Sequence, residues 1–324
     1  MAPALQVPER RSISVVTPVY NGEASIAELC RRLGEVLPRV ATQYEIILVN
    51  DGSRDRSWEV ISELSSHMPA VRGLNLMRNY GQHNALLCGI RAAKYEVIVT
   101  MDDDLQHPPE EIPRLLARLE EGFDVVYGAP KAEQNGLMRA LASRITRLAL
   151  SAAVGSDVAK NVSAFRVFRA PLREAFAGYQ SPFVSIDVLL TWGTTRFDAT
   201  RVVFQPRHAG SSNYTFTKLV RHALDMMTGF STAPLQLASL IGFTCTLFGI
   251  GVLIYVIGRY CLEGSIPGFP FLASIIAIFS GAQLFALGVI GEYLARMHFR
   301  TMKRPAYAIR DVAEAENSKS QNPK

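Results

Sequence analysis

Cysteine is scarce in this 324-residue chain, which has four: Cys30, Cys88, Cys245 and Cys261. None has metal-ligand or redox spacing, and together they suggest no disulfide framework. They read as small apolar residues. A G-x-G-x-x-G turn and a Walker loop are both missing, which disfavours an ordinary dinucleotide or P-loop fold. Met1 to Arg11 holds no apolar stretch of signal-peptide length, so the domain that follows is expected to be cytoplasmic. Acidic excess is absent too: 34 Lys and Arg face 29 Asp and Glu, a net charge of +5. No nucleic-acid-binding module accompanies that charge, so it is read as affinity for anionic lipid and phosphate.

Charge disappears altogether from two long runs. Leu235 to Ile257 and Ile266 to Ile290 contain no Asp, Glu, Lys or Arg. About 20 helical residues span a bilayer core of about 30 Å, so each run is long enough to cross. A buried soluble helix pair is the alternative, and two such runs side by side argue against it. Arg259 to Ser265 is short and nearly neutral, whereas Arg296, Arg300, Lys303, Arg304 and Arg310 follow the second run. That asymmetry places both ends of the hairpin on the cytoplasmic side. Gln283 is expected to bond across to the other helix, and Glu292 to pair with Arg296 four residues on.

What is present begins with alternation. Apolar, β-rich runs (Ile13–Thr17, Glu45–Asn50, Val71–Met77, Glu96–Met101, Asp124–Tyr127) are separated by helical patterns at Ala24–Leu37, Ser57–His67, Gly81–Ala93 and Pro109–Glu121. This order predicts an α/β domain with a mainly parallel sheet covered on both faces. Each strand ends in a polar loop, and those loops share the rim where ligands of open sheets lie. Further on, 137–154 and 214–230 read as basic amphipathic helices suited to a membrane surface. An ordinary packed helix fits the first of these equally well. Asp311 to Lys324 reads as a frayed polar end.

Asp102-Asp103-Asp104-Leu105-Gln106-His107 is the most informative stretch. Alternation along a strand would point Asp102 and Asp104 one way and Asp103 the other. Two carboxylates on one face can hold a hard divalent cation that shares oxygens with phosphates. The alternative is a solvated acidic turn before a helix that starts at Pro108-Pro109.

Pro18-Val19-Tyr20-Asn21-Gly22-Glu23, Asn50-Asp51-Gly52-Ser53, Arg78-Asn79-Tyr80-Gly81-Gln82 and Asp102-Asp103-Asp104-Leu105-Gln106 stand in the order of the family-2 GT-A glycosyltransferases, which this chain resembles. Arg207-His208-Ala209-Gly210-Ser211-Ser212-Asn213-Tyr214 resembles an element of that family's polyprenyl-phosphate branch. Gly281-Ala282-Gln283 and Gly288–Arg296 resemble the branch's second membrane helix. The resemblance runs from Ile13 to Val312 and is closest to enzymes with a two-helix tail. It implies inverting transfer of a sugar from a nucleotide sugar, a UDP-sugar by analogy, to undecaprenyl or another polyprenyl phosphate. It also implies Mg²⁺ or Mn²⁺, a membrane location, and a homo-oligomer, plausibly a tetramer exchanging Pro305–Val312.

The same resemblance assigns residues. Asp102 reaches the donor, while Asp104 and Gln106, with Asp102, hold the metal. Asp51 accepts from the base, which the loop of Pro18, Tyr20 and Glu23 frames; turn chemistry is the alternative for Asp51. Arg139 and Ser143, four residues apart on one helix face, match an acceptor-phosphate pair, with Arg207 as a third group. Guanidinium suits phosphate better than ammonium does. Asp102, Asp104, Arg139 and Arg207 are thus the expected catalytic set. Arg144 and Arg147 read equally well as solvated or lipid-facing, and His83 and His107 as supporting residues.

Two departures stand out. Relatives carry arginine where Tyr127-Gly128-Ala129-Pro130-Lys131 has proline, and acids where Asn161-Val162-Ser163-Ala164 precedes Phe165-Arg166. Asp157 lies nearby without a place at the reacting atom. The expected organisation is a GT-A domain over 1–230, two transmembrane helices within 231–296 (235–258 and 269–294), and a basic cytoplasmic tail over 297–324. A non-catalytic scaffold, or a transferase using another acceptor, is the alternative. The missing Gln-x-x-Arg-Trp element argues against a processive synthase.

Overall fold

The computed structural model describes residues 11–130, 161–205, 232–263, 268–302 and 304–315. The expectations for Arg139, Ser143, Arg207 and the helices at 137–154 and 214–230 lie outside them.

Strand β1 (Arg11–Val19) shows why the apolar runs are continuous rather than alternating. Ile13 and Val15 enter one core with Leu29, Leu33, Ile46 and Leu115. Val16 enters another with Ile47, Val49, Leu86 and Ile90 on the opposite face. A strand buried on both faces needs apolar residues at every position. Helices α1 (Ile26–Val40), α2 (Ser57–His67) and α4 (Ile112–Glu120) cover the first core, and α3 (Gln82–Ala92) and α5 (Ile186–Thr191) the second.

Strands β2 (Ala41–Asn50), β3 (Val71–Leu76) and β4 (Val97–Thr100) pair in parallel around β1. Beyond β4 the sheet mixes: β6 (Arg166–Arg169) runs antiparallel to β4 and to β5 (Val125–Pro130), while β7 (Phe197–Val202) is parallel to β5. The other edge is β8 (Ile309–Ala313), antiparallel to β3. Spatial order is β7-β5-β6-β4-β1-β2-β3-β8. The expected frayed end at Asp311 is corrected by this strand. Asp311 accepts from Asn75 Nδ2 at 3.1 Å, and Glu314 pairs with Arg72 at 3.0 Å. A polar sequence is no bar to an edge strand, which needs backbone partners more than apolar side chains.

Two long helices precede β8: α6 (Ala233–Glu263) and α7 (Phe269–Thr301). The stretches Ala233–Leu262 and Ile278–His298 are long and apolar enough to cross a membrane, and none of their apolar windows is buried. Leu240, Phe243, Leu253 and Leu284 all stand exposed. Arg296 Nη2 lies 3.5 Å from Glu292 Oε1, and its guanidinium stacks 4.8 Å over Phe183.

A buried ion pair ties the middle of the sheet. Arg166, 1% exposed, pairs through Nη1 with Asp187 on α5, and its Nε donates to Thr100 Oγ1 at 3.0 Å. The Tyr127 hydroxyl donates to Asp187 at 3.1 Å. Burial and the neighbouring carboxylate raise the Tyr127 pKa well above its usual range, keeping the phenol neutral. Removing one member of such a pair strands the other charge. Arg166→Met should therefore cost about 3–5 kcal/mol, read as a fall in thermal unfolding temperature. Arg166→Met with Asp187→Leu should recover part of that loss.

Candidate active site

Sheet order brings the loops after β1, β2, β3 and β4 to one rim. Strand β1 carries Pro18 inside its ladder opposite Val49, with its side chain buried. The loop expected to frame the base therefore starts at Tyr20, which is 47% exposed, with Pro18 in the strand before it. This corrects the placement of Pro18 in the loop.

That loop is laced to the one after β2. Ser53 Oγ accepts from Asn21 N at 3.0 Å, and Ser57 Oγ from Gly22 N at 2.9 Å. Asn21 Oδ1 returns the bond by accepting from Arg54 N at 2.9 Å. Glu23 Oε2 accepts from Arg56 N at 3.0 Å, while Asp55 accepts from Glu23 N at 3.2 Å. Glu23, expected at the donor, thus also holds the neighbouring loop. Asn21 adopts a left-handed φ of 55°, which asparagine tolerates better than most residues.

Asp51 is 3% exposed and joins two loops. Its Oδ1 accepts from Tyr80 N at 2.7 Å and its Oδ2 from Gly81 N at 2.9 Å. Burial raises its pKa against the opposing pull of those two N–H groups. Each carboxylate oxygen retains a second lone pair for a ligand donor. Gly52 makes the close approach: at φ +65°, an added Cβ would sit 2.6 Å from both Arg78 C and Asn79 N. Gln82, the next residue but one after Tyr80, donates from Nε2 to Asp102 Oδ1 at 2.6 Å. Asp51, the turn at Tyr80–Gln82 and Asp102 are therefore one connected unit. Sequence reasoning quoted Gln82 within its motif but gave it no role; a polar residue at the first position of an apolar helix was the available signal.

Strand β4 ends at Thr100, so strand alternation does not reach the aspartates. They stand in a turn in which Leu105, 4% exposed, takes φ 61°, an unfavourable region for leucine that its surroundings must hold. Asp104 Oδ1 accepts from Gln106 N at 3.1 Å, and Gln205 N donates to Gln106 O at 2.9 Å. His107 is buried between Phe165 and Phe204, with ring centroids 5.4 and 5.2 Å away.

Asp103 turns inward. Its carboxylate accepts from the Tyr20 backbone N–H, and burial with Asp102 and Asp104 beside it raises its pKa to about 7. Its Oδ2 is buried without a hydrogen-bond partner. An added Cβ at Gly22 would come within 2.1 Å of that atom, so glycine there makes room for the carboxylate.

Among the described residues, no three His, Cys, Asp or Glu side chains group as a metal cage. Mg²⁺ is commonly held through one or two carboxylates plus substrate phosphates. Asp102 and Asp104 offer such a pair, with the Gln106 amide adding another hard oxygen. The crowded negative charge and the orphaned Asp103 oxygen also fit a cation nearby.

Comparison with known proteins identifies the family. A family model described as glycosyl transferase family 2 matches residues 14–173. Undecaprenyl-phosphate 4-deoxy-4-formamido-L-arabinose transferase of Shewanella sediminis is 34% identical over 314 residues, spanning 95% of this chain and 94% of the relative. The Pseudomonas aeruginosa protein of that name is 35% identical over 307 residues, spanning 94% and 91%. Among solved structures, glucosyl-3-phosphoglycerate synthase from Mycobacterium tuberculosis, in complex with Mn²⁺ and UDP-glucose, is 18% identical with a TM-score of 0.49, covering 67% of this chain and 77% of that one. Similarity spanning nearly both sequences in the arabinose transferases decides the kinship: this chain belongs to glycosyltransferase family 2, alongside those undecaprenyl-phosphate sugar transferases, and is a GT-A glycosyltransferase.

Proposed function

We propose that the protein transfers a sugar, with inversion, from a nucleoside-diphosphate sugar to a polyprenyl phosphate at the membrane surface. The carrying observation is the connected unit at the rim. Asp51, the Tyr80–Gln82 turn and Asp102 are fixed to one another by hydrogen bonds, in a chain aligned with undecaprenyl-phosphate sugar transferases along nearly all its length. Asp51 and exposed Tyr20 would take the nucleoside, and Asp102 the donor's phosphate side. The preference for uridine rests on the family resemblance.

Bound by Asp104, Gln106 and Asp102, a Mg²⁺ or Mn²⁺ ion would offset the charge that gathers on the departing pyrophosphate. The acceptor is already an anion, so it needs positive charge to hold it more than a base to activate it. Arg139, Ser143 and Arg207 are proposed for that task. A phosphate oxygen of the acceptor would attack the anomeric carbon as its bond to the β-phosphate oxygen breaks on the opposite face, releasing the nucleoside diphosphate and inverting the configuration. Helices α6 and α7 would form a hairpin in the bacterial inner membrane, with the 1–230 domain and the 297–324 tail on the cytoplasmic side. A homo-oligomer exchanging Pro305–Val312 would form between copies the ladder that β8 makes with β3 here.

Incubating the purified protein with Mn²⁺, undecaprenyl phosphate and labelled nucleotide sugars, UDP-4-deoxy-4-formamido-L-arabinose among them, should yield a lipid-linked sugar. No product from any donor would sink the reading. Asp104→Asn should abolish product; retained turnover would contradict the metal assignment.

Asp103 gives a second check. A carboxyl whose pKa rises from 3.8 to about 7 on folding contributes stability that is present at low pH and lost as pH climbs to about 7. Asp103→Asn removes that loss. The metal-free variant should melt several degrees above the wild type at pH 8, with the gain fading between pH 7 and 4. Saturating Mn²⁺ should shrink the gain at pH 8, because a cation favours the ionised carboxylate.

A further inference from the structure

Asn84 has no part in the proposed chemistry, yet it is 5% exposed and sits in the first turn of the helix that carries Gln82. Its Nδ2 donates to Ala306 O at 2.9 Å and to Pro182 O at 3.2 Å. An amide nitrogen has two protons, and both are spent on carbonyls from distant segments. Each of those segments is attached to α7. Ala306 follows the end of the helix by five residues and is 4% exposed. Phe183, next to Pro182, lies 4.8 Å under the Arg296 guanidinium of α7.

The post-helix segment is fastened further along the same side. Met77 N donates to Ala308 O at 2.9 Å, Arg310 Nη2 donates to Met77 O at 3.1 Å, and Arg91 lies 5.9 Å over the Tyr307 ring. Gly81 and Gln82 of this turn reach the donor side, whereas His83 reaches α5. Gly81 N holds Asp51, Gln82 holds Asp102, and His83 Nδ1 accepts from Ile186 N at 3.3 Å.

We propose that the first turn of α3 couples the position of α7 to the donor site, and that Asn84 is the positioning residue that makes the link. This rests on the reading that Asp51 and Asp102 bind the donor. Two short hydrogen bonds fix the turn to the segments on either side of the α7 exit, and the same turn fixes both donor carboxylates. With Asn84 unable to hold those carbonyls, the turn loses its anchor on the membrane side. Gly81 and Gln82 then present Asp51 and Asp102 less accurately.

The test uses the full chain in phospholipid nanodiscs. Asn84→Ala should raise the donor KM, and weaken Mn²⁺–UDP or Mn²⁺–GDP binding by calorimetry (whichever nucleotide the wild type takes), by on the order of ten-fold. Acceptor KM should stay within about two-fold of the wild type. Asn84→Ser, with one hydroxyl proton, should fall between wild type and alanine, and it keeps the test open if alanine fails to fold. Phe183→Leu, which removes the stack under Arg296, should shift donor affinity in the same direction, with the double variant less than additive. Glu45→Gln is the control. It disturbs the bonds to Ser14 within β1 and to Lys94 ahead of β4, away from the rim, and should lower the melting temperature without moving donor affinity. Donor KM and nucleotide affinity within about two-fold of wild type in both Asn84 variants would overturn the coupling. A wild type that binds no Mn²⁺–nucleotide and makes no product would instead overturn the donor reading, and the coupling with it.

Discussion

The buried Arg166–Asp187 pair is the constraint on which the rest depends. A guanidinium 1% exposed is tolerable only when its charge and donors are satisfied. Here they are met by a carboxylate on α5 and a hydroxyl on β4. Thr100 Oγ1, which accepts from Arg166, also donates to Ala164 O at 2.9 Å. One charge pair thereby locks β4, β5, β6 and α5 together, and β4 ends at the residue it grips. The turn of Asp102, Asp103 and Asp104 follows directly, so the aspartates hang from a fixed platform. The antiparallel insertion of β6 between β4 and β5 is what makes the grip possible.

Above that platform, rigidity comes from exchanged hydrogen bonds rather than from apolar packing. The loops after β1 and β2 trade bonds in both directions, and Asp51 spends both its oxygens on the turn after β3. Short polar residues in loops are well suited to capping neighbouring backbone. Polar groups organised in this way do not have to rearrange when charge develops on a ligand. Asp103 runs against the trend. It is pressed into the glycine gap with one oxygen unpartnered, as is common where stability gives way to function.

Continuous apolar runs at β1 to β5 revealed the parallel sheet because two-sided burial leaves a strong compositional trace. The rim loops were legible for a related reason: each apolar run gives way abruptly to a polar stretch. The exact bearing of the aspartates was not, because β4 stops short and the turn is shaped by Leu105's φ of 61°. Pro18 fell in the loop because the apolar run was bounded at Thr17, whereas the strand continues to Val19. The Arg166–Asp187 pair left no trace, since its members lie 21 positions apart and meet only through tertiary packing. Strand β8 was invisible for a further reason. An edge strand carries no two-sided apolar signal, and its partner β3 lies more than two hundred residues earlier, as the Asn75–Asp311 separation of 236 shows.

That last pairing sets an order of assembly. The chain delivers β3 early and β8 last, after both long apolar helices have been made. Until then β3 offers an open edge, the kind of template that recruits stray strands. During synthesis the sheet therefore stays unfinished while the hairpin is produced. Its final ladder, with the Asn75–Asp311 and Arg72–Glu314 contacts, becomes available only once the hairpin has left the ribosome. Completion of the sheet is thus placed downstream of making the two long helices, by nothing more than the sequence position of five residues.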